Sequence, residues 1–206
     1  MTMTPLSIYR AQALTDSLQA GGLQRPRTTL RLPSNVPYVV DNLWEFLRPD
    51  HMPSRRYSIY ASPTPELARQ NCSGRDQGQG FCVYRLVVEG RVLLAHLSVT
   101  DAREHADVQL TRHTVQSVVQ QMADASAEEK SSLGLLFLPG ASRADWERAR
   151  AASALAAQLI DTLSAASTFW SDASPTPNPD SNGELFLQLL PGAGYQAADL
   201  QRYPAA

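Results

Sequence analysis

Residues 6–27 read Leu-Ser-Ile-Tyr-Arg-Ala-Gln-Ala-Leu-Thr-Asp-Ser-Leu-Gln-Ala-Gly-Gly-Leu-Gln-Arg-Pro-Arg, and three blocks follow one another in this stretch. A short apolar strand is predicted to end at Tyr9-Arg10. A helical run with Leu14 and Leu18 on one side follows, and Gly21-Gly22 is expected to end it, because glycine adopts left-handed turns without steric cost. The guanidinium of a strand-end arginine offers a rigid fork of donors to a diphosphate.

This order of blocks resembles the start of the ADP-ribosyltransferase toxins of the cholera toxin type. There a strand ends in Leu-Tyr-Arg-Ala, a short helix follows, and Gly-Gly-Leu-x-Pro-Arg closes the unit. Here Ile-Tyr-Arg-Ala stands at 8–11, Gly-Gly-Leu at 21–23 and Arg-Pro-Arg at 25–27. The resemblance implies an α+β fold in which two small mixed or antiparallel sheets form an NAD cleft. It also implies that Arg10 binds the phosphates of NAD.

A second block lies between residues 57 and 68. Tyr57 to Ala61 is predicted to form a strand that prolines end, and Thr64 is expected to cap the helix that begins near Pro65. The cholera-type enzymes carry Ser-Thr-Ser in such a strand and an alanine in the following helix. Aligning that alanine with Ala68 sets Tyr-Ala-Ser at 60–62 over Ser-Thr-Ser.

The alignment implies a binding role for two side chains of this block. Other NAD-using branches of the same fold stack a tyrosine on nicotinamide, and Tyr60 is predicted to do so, since a flat aromatic face suits a planar pyridinium. An ordinary core tyrosine is the alternative. Ser62 keeps the hydroxyl of the motif and is predicted to orient the catalytic carboxylate.

A third block follows a proline-rich loop at 171–183, where Glu184 opens a strand that runs to Leu190. The toxin family has its catalytic glutamate in this position, often as the second of a Glu-x-Glu pair. Here Asn182 replaces the first glutamate, which in the family accompanies transfer to arginine, so arginine is a less expected acceptor. The alternative is that Glu184 is simply the polar first residue of an edge strand.

Together these residues would break the N-glycosidic bond of NAD. Positive charge grows on the ribose as nicotinamide leaves, and a carboxylate near the 2′-hydroxyl stabilises that charge most in the transition state. Glu184 is predicted to be that carboxylate, with Arg10 fixing the diphosphate. NAD is a substrate here, and no metal is needed.

Length and composition set limits on the class of protein. The 206 residues, 43% of them hydrophobic, suit a single ADP-ribosyltransferase-like domain with a helical insertion at about 101–170. A net charge of −2 argues against a protein that depends on nonspecific nucleic-acid binding. Cys72 and Cys82 either pair or stay reduced, and the four histidines show no zinc spacing.

The expected setting is a bacterial or phage toxin or effector. No apolar run is long enough to span a membrane and no secretion signal is visible, so we expect a cytoplasmic protein, or one secreted into a target cell without a cleavable signal. The acceptor would be a protein or a nucleic acid, and an immunity or antitoxin protein is an expected partner. An NAD glycohydrolase and a non-catalytic binding module on the same fold are the alternatives.

Patterning elsewhere predicts the remaining elements. Strands at 81–88 and 91–98 should form a hairpin, and a short apolar strand should cover 133–138. Helices are expected at 38–47 and 111–122, and a long alanine-rich one from Ser142, where Asp145 completes a capping box. His105 and His113 are expected to be solvated. Phe169 and Trp170 are assigned either to acceptor binding or to the core, and the segment 191–206 to turns and a loosely ordered end.

Overall fold

A computed structural model describes residues 7–13, 22–72, 80–178 and 181–203. The chain divides into two compact units. The first unit holds both sheets, and the second is helical. The first unit is built from Met1–Thr29, His51–Asp101 and Ala173–Ala206, and the second from Leu30–Asp50 and Ala102–Asp172.

The described strands of the first unit form two three-stranded antiparallel sheets, which is compatible with an α+β fold. The described strands are β1 (Tyr9–Ala13), β2 (Ile59–Ala61), β3 (Phe81–Glu89), β4 (Val92–His96), β5 (Leu185–Leu189) and β6 (Gly194–Tyr203). Sheet A has the order β1-β3-β6 and sheet B the order β2-β5-β4. The expectation of two small antiparallel sheets is therefore confirmed.

The core of this unit forms because alternate residues of each strand are apolar. One cluster joins the two sheets, and it contains Cys82, Tyr84 and Leu86 of β3 together with Leu185, Leu187 and Leu189 of β5. The opposite face of β3 carries Phe81 and Val83, which pack with Ala68 and Cys72. Both cysteines are buried free thiols, and burial raises the pKa of the Cys82 thiol.

The predicted hairpin at 81–98 is wrong, although both strands exist. β3 pairs with β1 and β6, whereas β4 pairs with β5 in the other sheet. Gly90 makes this change of sheet at φ +90°, and a Cβ there would lie 2.9 Å from the Cα of Ala193. β6 pairs with β3 where β4 was expected to do so. The segment 191–206 was predicted to be turns and a loosely ordered end, and this prediction is also wrong, because Gly194–Tyr203 forms β6.

The strand that carries Arg10 runs further than predicted. β1 continues from Tyr9 to Ala13, so Arg10 is its second residue and not its end. Its pairing with β3, from Ala13 opposite Phe81 to Tyr9 opposite Arg85, overrides the local pattern. The predicted helical run with Leu14 and Leu18 lies outside the described residues.

The second motif is shorter as a strand than predicted. A 3₁₀ turn occupies Arg55–Tyr57, and β2 begins only at Ile59. The helix after it is confirmed, with Thr64 accepting a hydrogen bond from the backbone N–H of Leu67 at 3.3 Å.

Helices build the second unit, and one of the described helices lies in the first. In chain order they are α1 (Tyr38–Leu47), α2 (Pro65–Gln70, in the first unit), α3 (Ala106–Gln121), α4 (Ala127–Gly134), α5 (Arg143–Ala152), α6 (Ala154–Ala166) and α7 (Phe169–Asp172). The prediction for 38–47 is confirmed at both ends. Trp44 of α1 is fully buried and stacks on Phe169 at 3.9 Å between ring centroids. No described helix is both long and apolar enough to cross a membrane.

Two predictions for this unit need correction. The segment 133–138 is not a strand, because α4 continues to Gly134 and a 3₁₀ turn follows at Leu135–Phe137. Leu133 and Leu136 are buried three residues apart, which is a helical spacing. The capping box of Ser142 and Asp145 is confirmed, but the helix it opens stops at Ala152, and Ser153 caps a new one.

The prediction that His105 is solvated is wrong, because its side chain is buried. His105 Nδ1 accepts from the backbone N–H of Asp107 at 3.2 Å, and Nε2 lies 3.2 Å from Asp172. Phe169 is fully buried, and Trp170 donates from Nε1 to the carbonyl of Trp44 at 2.6 Å. These two aromatic residues therefore belong to the packing of the helical unit.

Candidate functional site

A backbone bridge joins the strand of Arg10 to Ser62, the residue that follows β2. The N–H of Tyr9 donates to the carbonyl of Ser62 at 2.8 Å, and the N–H of Ser62 donates to the carbonyl of Tyr9 at 2.7 Å. The bridge is the corner at which sheet A meets sheet B. Ser62 is buried there with 5% of its surface exposed.

The register of sheet B brings Glu184 to the same corner. Tyr60 lies opposite Phe186 and Ala61 opposite Leu185. Ser62 directly follows Ala61, and Glu184 directly precedes Leu185, so both residues flank the last pair of this register. Residues from three distant parts of the sequence thus have neighbouring backbone positions.

Arg10 is half-buried and lies directly opposite Tyr84 on β3. Tyr84 is fully buried and donates from its hydroxyl to Gln12 Oε1 at 2.9 Å. Burial raises the pKa of Tyr84, while the positive charge of Arg10 acts against that rise. Arg10 therefore brings a cation to the face of sheet A that carries Tyr84.

The side chains at the corner leave their strands on alternating sides. Arg10 follows Tyr9 by one residue, so its side chain leaves β1 on the side opposite to the one that Tyr9 shares with Ser62. The strand register by itself therefore does not bring the Arg10 guanidinium to the side of Ser62. Whether Arg10 and Glu184 act on one ligand depends on how far the Arg10 side chain extends.

Tyr60 is held on several sides. Its ring meets Phe186 edge to face at 5.1 Å between centroids, and its hydroxyl donates to the carbonyl of Arg55 at 3.1 Å. The guanidinium of Arg55 lies 5.6 Å from the ring centroid. Tyr60 and Ser62 are two residues apart and share one side of β2, but the tyrosine already has polar and aromatic neighbours in its half-buried position.

The backbone around Glu184 is fixed by the segment that follows β4. The N–H of Glu184 donates to the carbonyl of Val99 at 2.8 Å, and the N–H of Leu97 donates to the carbonyl of Glu184 at 2.9 Å. Gly183 lies so close to this segment that a Cβ would be 1.6 Å from the carbonyl oxygen of Leu97. No residue with a side chain fits at 183 without movement of the backbone.

His96 at the end of β4 is a residue that sequence reasoning left without a role. It is 2% exposed, and its Nε2 lies 3.1 Å from the carbonyl oxygen of Gly183. The N–H of Asn178 donates to Nδ1 at 3.0 Å, so the neutral ring carries its proton on Nε2 and donates it to Gly183. Burial lowers the pKa of His96, and the bond to Gly183 offsets part of that effect.

Comparisons of the chain with protein-family models, with curated proteins and with solved structures give no match. The ADP-ribosyltransferase resemblance therefore depends on the motifs at residues 8–27, 60–62 and 184 alone.

The corner combines groups with complementary chemistry. A hydroxyl at Ser62 and a carboxylate at Glu184 flank the pair of Ala61 and Leu185, and a cation lies on the adjacent strand at Arg10. A carboxylate suits a ribose hydroxyl or a developing positive charge, and a guanidinium suits a phosphate.

Proposed function

We propose that this protein is a mono-ADP-ribosyltransferase that cleaves NAD and transfers ADP-ribose to a macromolecular acceptor. The observation that carries the proposal is the register at the corner. Tyr9 bridges to Ser62, and the neighbouring pair Ala61 and Leu185 is flanked by Ser62 on one strand and Glu184 on the other. The three motifs named from the sequence thus have neighbouring backbones although up to 174 residues separate Arg10 from Glu184.

In this mechanism Arg10 holds the diphosphate and so fixes the position of the ribose. Glu184 accepts a hydrogen bond from the ribose 2′-hydroxyl and stabilises the positive charge that develops as nicotinamide leaves. Ser62 donates its hydroxyl hydrogen to Glu184 and keeps the carboxylate oriented. Tyr60 contacts the nicotinamide ring before it departs.

The acceptor attacks the anomeric carbon that nicotinamide leaves. The loop before Glu184 borders this carbon in the proposal, and Asn182 occupies the position of the first glutamate of Glu-x-Glu. An amide is not a general base for a guanidinium acceptor, so another nucleophile is favoured. Water as acceptor would make the protein an NAD glycohydrolase.

Nicotinamide release from NAD tests the proposal. Glu184→Gln should lower the rate by about 10²–10³-fold, because it removes the charge that stabilises the transition state. Arg10→Ala should chiefly raise KM for NAD. The matched controls are Glu89→Gln at the exposed end of β3 and Arg85→Ala, an arginine on β3 whose partner is Asp199 at 2.7 Å. Both controls should behave as the wild type.

A second arm uses labelled NAD with cell lysate as the source of acceptors. Label on a macromolecule supports transfer, and release of nicotinamide without label supports hydrolysis. No release with or without lysate would refute the enzymatic proposal and leave a binding module.

A further inference from the structure

His96 contacts three points of the chain that precede Glu184. Its backbone pairs with Ser174 through bonds of 2.8 and 2.9 Å, where the loop begins. Its ring accepts from the N–H of Asn178 and donates to the carbonyl of Gly183. One buried side chain thus connects β4 to the middle of the loop and to the residue before the carboxylate.

The two ring nitrogens have separate tasks. Nε2 restrains Gly183, and Gly183 is covalently joined to Glu184, so this bond limits how the carboxylate moves relative to Ser62. Nδ1 restrains Asn178, which is exposed and lies in the loop itself. The distances of 3.1 and 3.0 Å are those of ordinary hydrogen bonds, and a ring that accepts at Nδ1 is neutral.

We propose that His96 is a positioning residue for the reaction, which sets Glu184 through Nε2 and holds the preceding loop through Nδ1. The inference rests on the proposed function, since it assigns a role to a residue that acts through Glu184. If His96 only filled space, an apolar ring of similar size would support the same activity. The role is therefore tested by changing the nitrogens one at a time.

Two substitutions separate the tasks. The side-chain amide nitrogen of glutamine reaches the position of Nε2, so His96→Gln keeps the donor to Gly183 and loses the acceptor for Asn178. The side-chain oxygen of asparagine reaches the position of Nδ1, so His96→Asn keeps the acceptor and loses the donor. His96→Phe fills the space and loses both.

The first readout is the kinetics of nicotinamide release with water as acceptor. His96→Asn and His96→Phe should lower kcat by about 10²-fold, as expected when a reacting group is displaced by about 1 Å. His96→Gln should retain most of the wild-type kcat. KM for NAD should stay unchanged in all three variants, because Arg10 lies on a different strand. A uniform change of kcat in all three variants would overturn the inference.

The second readout is hydrogen exchange at the amide of Asn178, which does not depend on activity. Protection should persist in His96→Asn and disappear in His96→Gln and His96→Phe. Equal protection in all of them would overturn the assignment of Nδ1.

A matched control separates positioning from stability. His105 is also a buried histidine with two polar partners, but it belongs to the helical unit. His105→Gln should lower the free energy of unfolding without lowering kcat. If the wild type releases no nicotinamide, the proposed function and this inference fail together. If the wild type releases nicotinamide and His96→Asn matches it, only the inference fails.

Discussion

Replacement of Gly183 by alanine tests the geometry beside Glu184. The added Cβ would lie 1.6 Å from the carbonyl oxygen of Leu97, whereas ordinary contact begins near 3.4 Å. The two segments must therefore separate by about 1.8 Å, the difference between these distances. The atom in the way belongs to the backbone, so no side-chain rotation relieves the overlap.

Such a separation breaks the bonds that hold Glu184. The pairs Leu97 N–H to Glu184 O and Glu184 N–H to Val99 O, at 2.9 and 2.8 Å, are the first affected. With about 1 kcal/mol for each of the two lost bonds and about 1–3 kcal/mol for overpacking, Gly183→Ala should lower the free energy of unfolding by about 3–5 kcal/mol. Displacement of the carboxylate should lower kcat for nicotinamide release by about 10²-fold.

Urea unfolding and nicotinamide release measure the two effects. Gly134→Ala is the matched control, because a Cβ at Gly134 meets nothing within 4 Å and the site lies at the end of α4. It should be neutral or slightly stabilising. A Gly183→Ala protein with the stability of the wild type would refute the close approach to Leu97, and with it the account of how Glu184 is held.

Three further predictions concern stability. Asp107→Asn should lower the free energy of unfolding, measured by thermal or urea unfolding, by about 2–4 kcal/mol. The buried carboxylate of Asp107 accepts from Trp44 Nε1 at 2.9 Å and from the N–H of Thr168 at 3.0 Å. An asparagine amide would turn its NH₂ donor towards one of these two donors. Stability should fall as the pH drops below about 6.5, since burial lowers the pKa of folded His96 and the unfolded chain then binds more protons. This residue contributes a slope of at most about 1.4 kcal/mol per pH unit, and His96→Gln should remove that contribution. If urea titrations of His96→Gln show the wild-type slope, the pH dependence does not come from His96. Thr64→Ala should cost about 1 kcal/mol by loss of the cap of α2, whereas the exposed Thr176 gives a neutral alanine control.

The sequence predicted correctly those helices and helix caps that depend on interactions between residues close in the chain. The helix at 38–47 has its observed ends because Pro37 precedes it and its apolar residues repeat with helical spacing. The caps at Thr64 and Ser142 follow from hydroxyl groups that accept from backbone N–H groups three residues on.

Strand pairing could not be predicted in the same way. Residues 81–96 look like a hairpin locally, and only the competition from β1, β5 and β6 moves the two strands into different sheets. Polar residues at the exposed positions of β6, such as Gln196 and Asp199, concealed a strand that is buried on one side only.

Residue type and order were sufficient to propose Arg10, Ser62 and Glu184 as a group. They were not sufficient for Gly183 and His96, because the roles of these two residues come from contacts across 86 and 87 positions of the sequence. A glycine immediately before the proposed catalytic glutamate was the one local sign of a close backbone approach.

The central claim is that Arg10 and Glu184 contact one NAD molecule at the corner of the two sheets. A crystal structure of Glu184→Gln with NAD tests this most directly, because slow cleavage preserves the substrate. We expect the diphosphate within hydrogen-bonding distance of the Arg10 guanidinium and the nicotinamide ribose beside residue 184. NAD bound elsewhere, or a guanidinium turned away from the diphosphate while residue 184 faces solvent, would contradict the claim.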